Sequence, residues 1–105
     1  MAKTEEKVAC RTPAEGRDGV TNIPKWKFDL IAGHIKDVVT DAGPKGIPFG
    51  ELSKAVGERL NDDERGRLGS VGWHSTTVKL EMEVAGILGR VQRSGRQHVV
   101  LAGAE

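Results

Sequence analysis

The sequence predicts an α+β domain of three helices followed by a C-terminal β-hairpin. Three observations carry this: apolar residues recur at helical spacing over three separate stretches, glycine and proline punctuate the joins, and the last third switches to a strand-turn-strand pattern. At 105 residues the chain suits one domain with a single core and leaves no room for a large multi-domain enzyme.

Residues 1–23 mix charges with Pro13, Gly16 and Gly19 and carry only scattered apolar side chains, so an extended or mobile N-terminal arm is expected before a domain over residues 24–102. Pro24 suits a first helical turn, where its missing N–H would be unpaired anyway. Behind it Trp26, Leu30, Ile31, Ile35, Val38, Val39 and Ala42 form one apolar face, predicting a helix over roughly residues 24–42 that Gly43-Pro44 ends. Lys45 to Phe49 is too short and proline-bound for a central strand, leaving a short edge strand or an extended connector. Phe49, Leu52, Val56 and Leu60 predict a second helix over about residues 50–60, too short to stand without packing. Asn61 to Gly69 is polar and glycine-containing, and an exposed loop is expected. Ser70 is the candidate N-cap of a third helix from Val71 to Val84 or Ala85, with Gly86 as its left-handed terminator. Leu88–Arg93 and Arg96–Leu101 flank Ser94-Gly95, the pattern of a hairpin with a two-residue turn.

Charge and composition narrow the function classes. Sixteen Lys plus Arg against 15 Asp plus Glu leave a formal net charge of +1. The pI of 7.9 falls short of the value above about 9 common in domains that wrap a phosphate backbone. With 37% hydrophobic and 30% charged residues the chain is too apolar for disorder throughout and too polar for a membrane span. Apolar runs such as Val99-Val100-Leu101-Ala102 are far shorter than a bilayer crossing, and no stretch of signal-peptide length follows the N-terminus. A cytoplasmic location and no membrane partner are expected. Cys10, the single cysteine, excludes an intrachain disulfide and any cysteine-based zinc site.

The run Ser75-Thr76-Thr77-Val78-Lys79-Leu80-Glu81-Met82-Glu83-Val84-Ala85-Gly86-Ile87-Leu88-Gly89-Arg90-Val91 resembles the recognition helix and following wing of winged helix-turn-helix domains: a helix ends in Ala-Gly plus two apolar residues and passes into a basic strand. Ile47-Pro48-Phe49-Gly50-Glu51-Leu52 resembles the short strand and second-helix start of the same fold. More narrowly, Gly69-Ser70-Val71-Gly72-Trp73, then Thr76-Thr77-Val78-Lys79-Leu80 and Glu83, with Thr12-Pro13 and Gly16-Arg17-Asp18-Gly19-Val20 upstream, is similar to a family of small bacterial proteins without assigned function. The resemblance covers about residues 11–101. It implies a winged helix with three helices, a C-terminal hairpin wing and a short edge strand. Such domains mostly bind DNA and some bind only proteins, so the fold does not choose between them.

Catalytic and metal chemistry find little support. His34, His74 and His98 fall on the first helix, the third helix and the hairpin, without metal-ligand spacing, so no metal site or cofactor is expected. Cys10 lies where nothing suggests a fixed base, and an inert thiol is the simpler expectation. Gly66, Gly69 and Gly72 lack the preceding strand and the Gly-Lys-Ser/Thr ending of a phosphate-binding loop. No enzyme is expected. The start of the third helix offers something milder: free N–H groups and the positive dipole end suit a phosphate, contacted by Ser70, Gly72 and Arg65 or Arg67. The alternative is that the two arginines only balance Asp62, Asp63 and Glu64.

The third helix carries two apolar stripes, Trp73-Thr77-Leu80-Val84 and Val71-Val78-Met82-Ala85, almost opposite each other. Either the helix is buried between the first helix and the arm or hairpin, or one stripe forms a homodimer contact. The residues left to solvent would be Gly72, Thr76, Lys79 and Glu83, with His74 and Glu81, a poor electrostatic match to DNA. The wing is the better signal. Arg90, Arg93 and Arg96 occur with no acidic residue between Glu83 and Glu105, and the turn sets Arg93 opposite Arg96. His98 flanks these arginines. The resemblance assigns phosphate contact to them; the alternative is protection of an exposed sheet edge. The expected activity is non-enzymatic nucleic-acid binding, with double-stranded DNA as target. Ser75, Thr76 and Lys79 would approach the major groove, and Arg90, Arg93 and Arg96 would hold the backbone. The alternative is a protein-interaction or homodimerisation module that binds no nucleic acid.

Overall fold

The computed structural model describes residues 7–11, 20–93 and 95–102. Within them an α+β architecture is built from four helices and two small antiparallel sheets, one helix more than the periodicity predicts. Thr12-Pro13, Gly16 to Gly19 and the turn residue Ser94 lie outside the described residues.

The segment read from sequence as an arm contains two strands, β1 (Lys7–Arg11) and β2 (Val20–Pro24), paired antiparallel with Val8 opposite Ile23 and Cys10 opposite Thr21. Side chains alternate across a strand, so these four share one face, and Cys10 and Ile23 enter the core. A two-stranded hairpin is marginal alone. Packing against the helices stabilises this one, so the core runs continuously across residues 23 and 24. Only two residues of each strand lie on that inner face, too few to register as a pattern in a charged stretch.

Helix α1 (Lys25–Ala42) follows Pro24 directly and buries Ile31, Ile35, Val38 and Val39, as its spacing predicts. The Gly43–Gly46 turn, closed by the Gly46 N–H donating to the Gly43 carbonyl at 3.0 Å, leads into strand β3 (Ile47–Pro48). Helix α2 (Phe49–Glu58) buries Leu52 and Val56. The predicted loop after it is instead a helix, α3 (Asp62–Leu68). Asn61 and Glu64 form a reciprocal capping box there, 2.8 Å and 3.0 Å, and Leu68 is buried. The polarity that suggested a loop is the acidic first turn that favours a helix start.

Helix α4 (Val71–Val84) matches its predicted span. Ser70 caps it by accepting from the Trp73 N–H at 3.0 Å. At the other end the Ile87 N–H reaches the Met82 carbonyl and the Gly86 N–H reaches that of Glu83, with Gly86 at φ 82°, so a left-handed residue closes the helix as expected. Strands β4 (Leu88–Arg93) and β5 (Arg96–Leu101) pair antiparallel, and β3 joins the far edge of β5 with Ile47 opposite Val99, giving the order β3-β5-β4. The edge strand is therefore present.

α4 runs through the centre, packed against α1, α2 and β1. This position buries more of it than an amphipathic helix would lose. Val78 and Met82 join the core, and His74, Ser75, Thr77, Lys79 and Glu81 are buried as well. His74, Lys79 and Glu81 were expected in solvent. The hairpin of β1 and β2 covers a second side of the helix, which no local pattern announces. Along the outer side Trp73 and Val84 stay exposed, with Thr76 between them. Among the described residues no helix is long and apolar enough to cross a membrane.

Candidate functional site

The residues that sequence reasoning assigned to one DNA-facing surface separate into three environments. Lys79 is 2% exposed. Its ammonium lies 2.9 Å from a Glu83 carboxylate oxygen and 4.4 Å from the centre of the Phe49 ring. Arg90 grips the same carboxylate in two places, Nε to Oε2 at 2.9 Å and an NH2 nitrogen to Oε1 at 2.8 Å. Those hydrogen bonds hold the Arg90 guanidinium charged to higher pH than usual, against a smaller opposing effect of its burial. Lys79, Glu83 and Arg90 thus form one ionic cluster tying α4 to β4. Lys79 and Ser75 are enclosed, which corrects their placement at the major groove, and Arg90, expected to hold the backbone, is engaged by Glu83. Of the three α4 residues expected at the major groove, Ser75, Thr76 and Lys79, only Thr76 is exposed.

The expected phosphate contact at the start of α4 is likewise rearranged. Ser70 spends its oxygen on the helix cap, and its carbonyl accepts from His74 Nδ1 at 2.7 Å. Arg65 donates to the carbonyls of Gly57 and Leu60 at 3.2 and 3.1 Å, satisfying the C-terminal end of α2. It also lies 3.8 Å from Asp62, and Arg67 lies 3.8 Å from Asp63 and 5.0 Å over the ring of Trp26. Both arginines therefore serve the joints between helices besides facing Asp62 and Asp63, while Glu64 is held in the capping box. Gly72 is exposed.

A third group stays open to solvent. The Gly43–Gly46 turn and the end of the β4–β5 hairpin enclose a groove of about 740 Å³ lined by Lys45, Gly46, Gln92, Arg93, Arg96 and His98, with Ala42 at its edge. The β-register sets Arg93 directly opposite Arg96, and the β3–β5 pairing carries Lys45 to the same place. Arg96 reaches Glu51 at 3.2 Å, an exposed pair of small energetic weight. His98 donates from Nδ1 to the Arg96 carbonyl at 3.1 Å. Lys45 and Arg93 have no ion-pair partner among the described residues. No carboxylate lines the groove. Sequence reasoning missed Lys45. The signal was its place two residues before an edge strand expected beside the hairpin.

Cys10 is fully buried, and its thiol is pushed from about 9 up to about 11, first by burial and then by the negative charge of Glu81. A raised folded pKa favours the neutral thiol, so this contribution to stability is complete below about pH 9 and is lost as pH rises to about 11. Two pK units bound the loss at about 3 kcal/mol. Urea midpoints measured from pH 8 to 11 should fall more steeply for wild type than for Cys10→Ala, and parallel curves would refute this. Among the described residues no three His, Cys, Asp or Glu side chains are grouped to hold a metal ion.

A family model described as "Family of unknown function (DUF6958)" matches residues 7–99, from the first strand to within the last. The chain belongs to this family. The matched span of this DUF6958 member includes β1 and β2 as well as the groove-forming residues. No curated protein and no solved structure matches the chain.

Proposed function

We propose that this DUF6958 chain is a non-enzymatic nucleic-acid-binding protein of winged-helix type, with double-stranded DNA as the target. The observation that carries this is the groove in which Lys45, Arg93, Arg96 and His98 converge with no carboxylate in its lining. Lys45 and Arg93, which have no ion-pair partner among the described residues, are suited to phosphate oxygens, and the opposed pair Arg93 and Arg96 is relieved of mutual repulsion by an anion between them. The order of α2, α3, α4 and the β4–β5 hairpin, with β3 on its edge, supports the winged-helix reading, α3 being an added helix of about two turns between the second and third predicted helices. On this reading the hairpin binds the backbone and α4 contributes little beyond Thr76. Contacts to backbone position a protein without reading bases, so weak sequence preference follows.

Three neutralised phosphates imply a loss of affinity of roughly 40-fold between 50 and 200 mM salt. Fluorescence anisotropy with a random-sequence duplex should show that dependence. Arg93→Ala/Arg96→Ala should bind at least about tenfold more weakly, with the salt slope reduced by about 2. Lys45→Ala should reduce the slope by about 1. Equal binding by wild type and the double variant at both salt concentrations would end the nucleic-acid proposal.

A second reading rests on a separate observation. Trp73, Val84 and Ile87 are exposed large apolar residues, 49%, 42% and 42% accessible, on α4 and the turn after it. They suit a homodimer or protein contact. Sedimentation at several concentrations tests the homodimer: a concentration-dependent mass that Val84→Asp/Ile87→Asp abolishes supports it, and a constant monomer mass removes it.

A further inference from the structure

We propose that the start of α2 and the first turns of α4 together form a binding site for a phosphate-type oxyanion, separate from the hairpin groove and standing without it. A cavity of about 240 Å³ lies between the two helices, with Phe49, Gly50, Ser53, Gly72, Ser75 and Thr76 in its wall. Two independent features of that wall point to an anion.

The first is Ser75. It is 1% exposed, and its hydroxyl is the buried side-chain polar atom left without a hydrogen-bond partner among the described residues. An unpaired buried hydroxyl is destabilising, and native structures retain few. A serine in mid-helix has an easy remedy in the carbonyl one turn back, and this one does not take it. A ligand oxygen in the cavity would supply the partner.

The second is the helix start itself. The N-cap of α2 is Pro48, which has no side-chain acceptor, and no side chain caps the helix. Its first N–H groups, from Phe49, Gly50 and Glu51, are therefore uncapped at the positive end of the helix dipole. Gly50 brings the backbone to the cavity without a side chain in the way, and Ser53 one turn on adds a hydroxyl. α1, which also follows a proline, is likewise without a side-chain cap, whereas α3 and α4 are capped by their own Asn61 and Ser70.

The charges nearby are mixed, and the carboxylates among them are each paired with a cation. The buried Lys79 ammonium lies over the Phe49 ring, 4.4 Å from its centre, with Glu83 offsetting part of its field. Glu51, the carboxylate of the same first turn, is turned to Arg96, and no carboxylate lines the cavity. Backbone N–H groups and three hydroxyls make a donor-rich wall that matches tetrahedral phosphate oxygens and offers a cation no anionic ligand. The same oxygens come from a free phosphate ion or from a phosphodiester in a polymer.

The test is an amide chemical-shift titration of the ¹⁵N-labelled full chain at constant ionic strength. One arm uses inorganic phosphate against a chloride reference; the other uses a short DNA duplex. The expected result is a saturable shift of the Phe49, Gly50 and Glu51 amides. Saturation by inorganic phosphate identifies a free-ion site, and saturation by the duplex alone identifies a phosphodiester site. Ser75→Ala removes an unpaired hydroxyl, so it should fold with unchanged or higher stability. It should weaken saturation at least about fivefold, the loss of one hydrogen bond, and Ser53→Ala should do the same. The proposal is overturned by unsaturable shifts at these amides in both arms, or by wild-type saturation in Ser75→Ala. Because Arg93→Ala leaves both this cavity and the Glu51–Arg96 pair intact, phosphate should still saturate it in that variant, even if the hairpin groove proves to bind no DNA.

Discussion

Glu83→Ala is expected to destabilise the fold by about 3–5 kcal/mol, the usual penalty for removing one partner of a buried ion pair. Glu83 answers two cations at once, Lys79 at 2.9 Å and Arg90 through two hydrogen bonds. Arg90 is half exposed and can turn to water when the carboxylate is lost. Lys79 has no such escape, because its side chain is 2% exposed and lies over Phe49 in the interior. Its ammonium would have to lose its proton or draw water inward. Removing that stranded charge should therefore relieve the defect. Lys79→Met keeps the length and removes the charge, so the double variant Glu83→Ala/Lys79→Met should recover most of what Glu83→Ala loses. Urea denaturation at constant m-value measures both. A cost below about 1 kcal/mol for the single variant, or no recovery in the double, would show that the buried lysine does not depend on Glu83.

The second large effect is expected from Gly46→Ala. Gly46 adopts φ +75°, a left-handed conformation that an alanine occupies at a cost of about 1 kcal/mol or more. Steric overlap costs more than this backbone strain. A Cβ at this position would overlap the backbone carbonyl oxygen of Val99 and lie 2.6 Å from Val100 Cγ1, and backbone cannot swing aside as a flexible side chain can. Accommodating it means separating β3 from β5, where Ile47 pairs with Val99. A total of about 2–5 kcal/mol is expected, together with faster amide exchange at Ile47. Gly33→Ala is the matched control: mid-helix in α1, with open space around the added carbon, it should stabilise by up to about 1 kcal/mol. Equal stability of the two variants would refute the steric account. Gly46 also lines the groove with Lys45, so parting these strands should weaken polyanion binding as well.

Both effects arise where separate elements meet, and the same boundary divides what is legible in the sequence from what is not. The limits of α1 and α4 were legible because their causes are local: a proline at one start, a serine cap at the other, apolar residues one turn apart, a glycine able to take positive φ. The C-terminal hairpin was legible for a similar reason, since strand alternation and a two-residue turn set its register and place Arg93 opposite Arg96. α3 was missed although its capping box was present as Asn61 and Glu64, because Gly66 and the run of charges were weighed as loop signals. β1 and β2 were missed because their order rests on packing rather than on propensity.

For the candidate sites the limit is sharper. A helical wheel assigns Lys79, His74 and Glu81 to a polar surface, and that would hold for a helix with one covered side. The hairpin of β1 and β2 covers another side of α4, so charges that look solvated in sequence are buried and must find partners. Lys79 finds Glu83 four residues away, a pairing the spacing permits but does not require. The convergence of Lys45 with Arg93 and Arg96, 48 and 51 positions apart in the chain, depends on β3 pairing with β5. The unpaired hydroxyl of Ser75 faces a helix start from another part of the sequence. By itself, then, the sequence determined the α+β class, the spans of α1 and α4 and the arginine-bearing hairpin, because each follows from interactions within a few residues. Only the tertiary structure decided which cations remain open to a ligand, because burial and charge pairing are properties of elements brought together from distant parts of the chain.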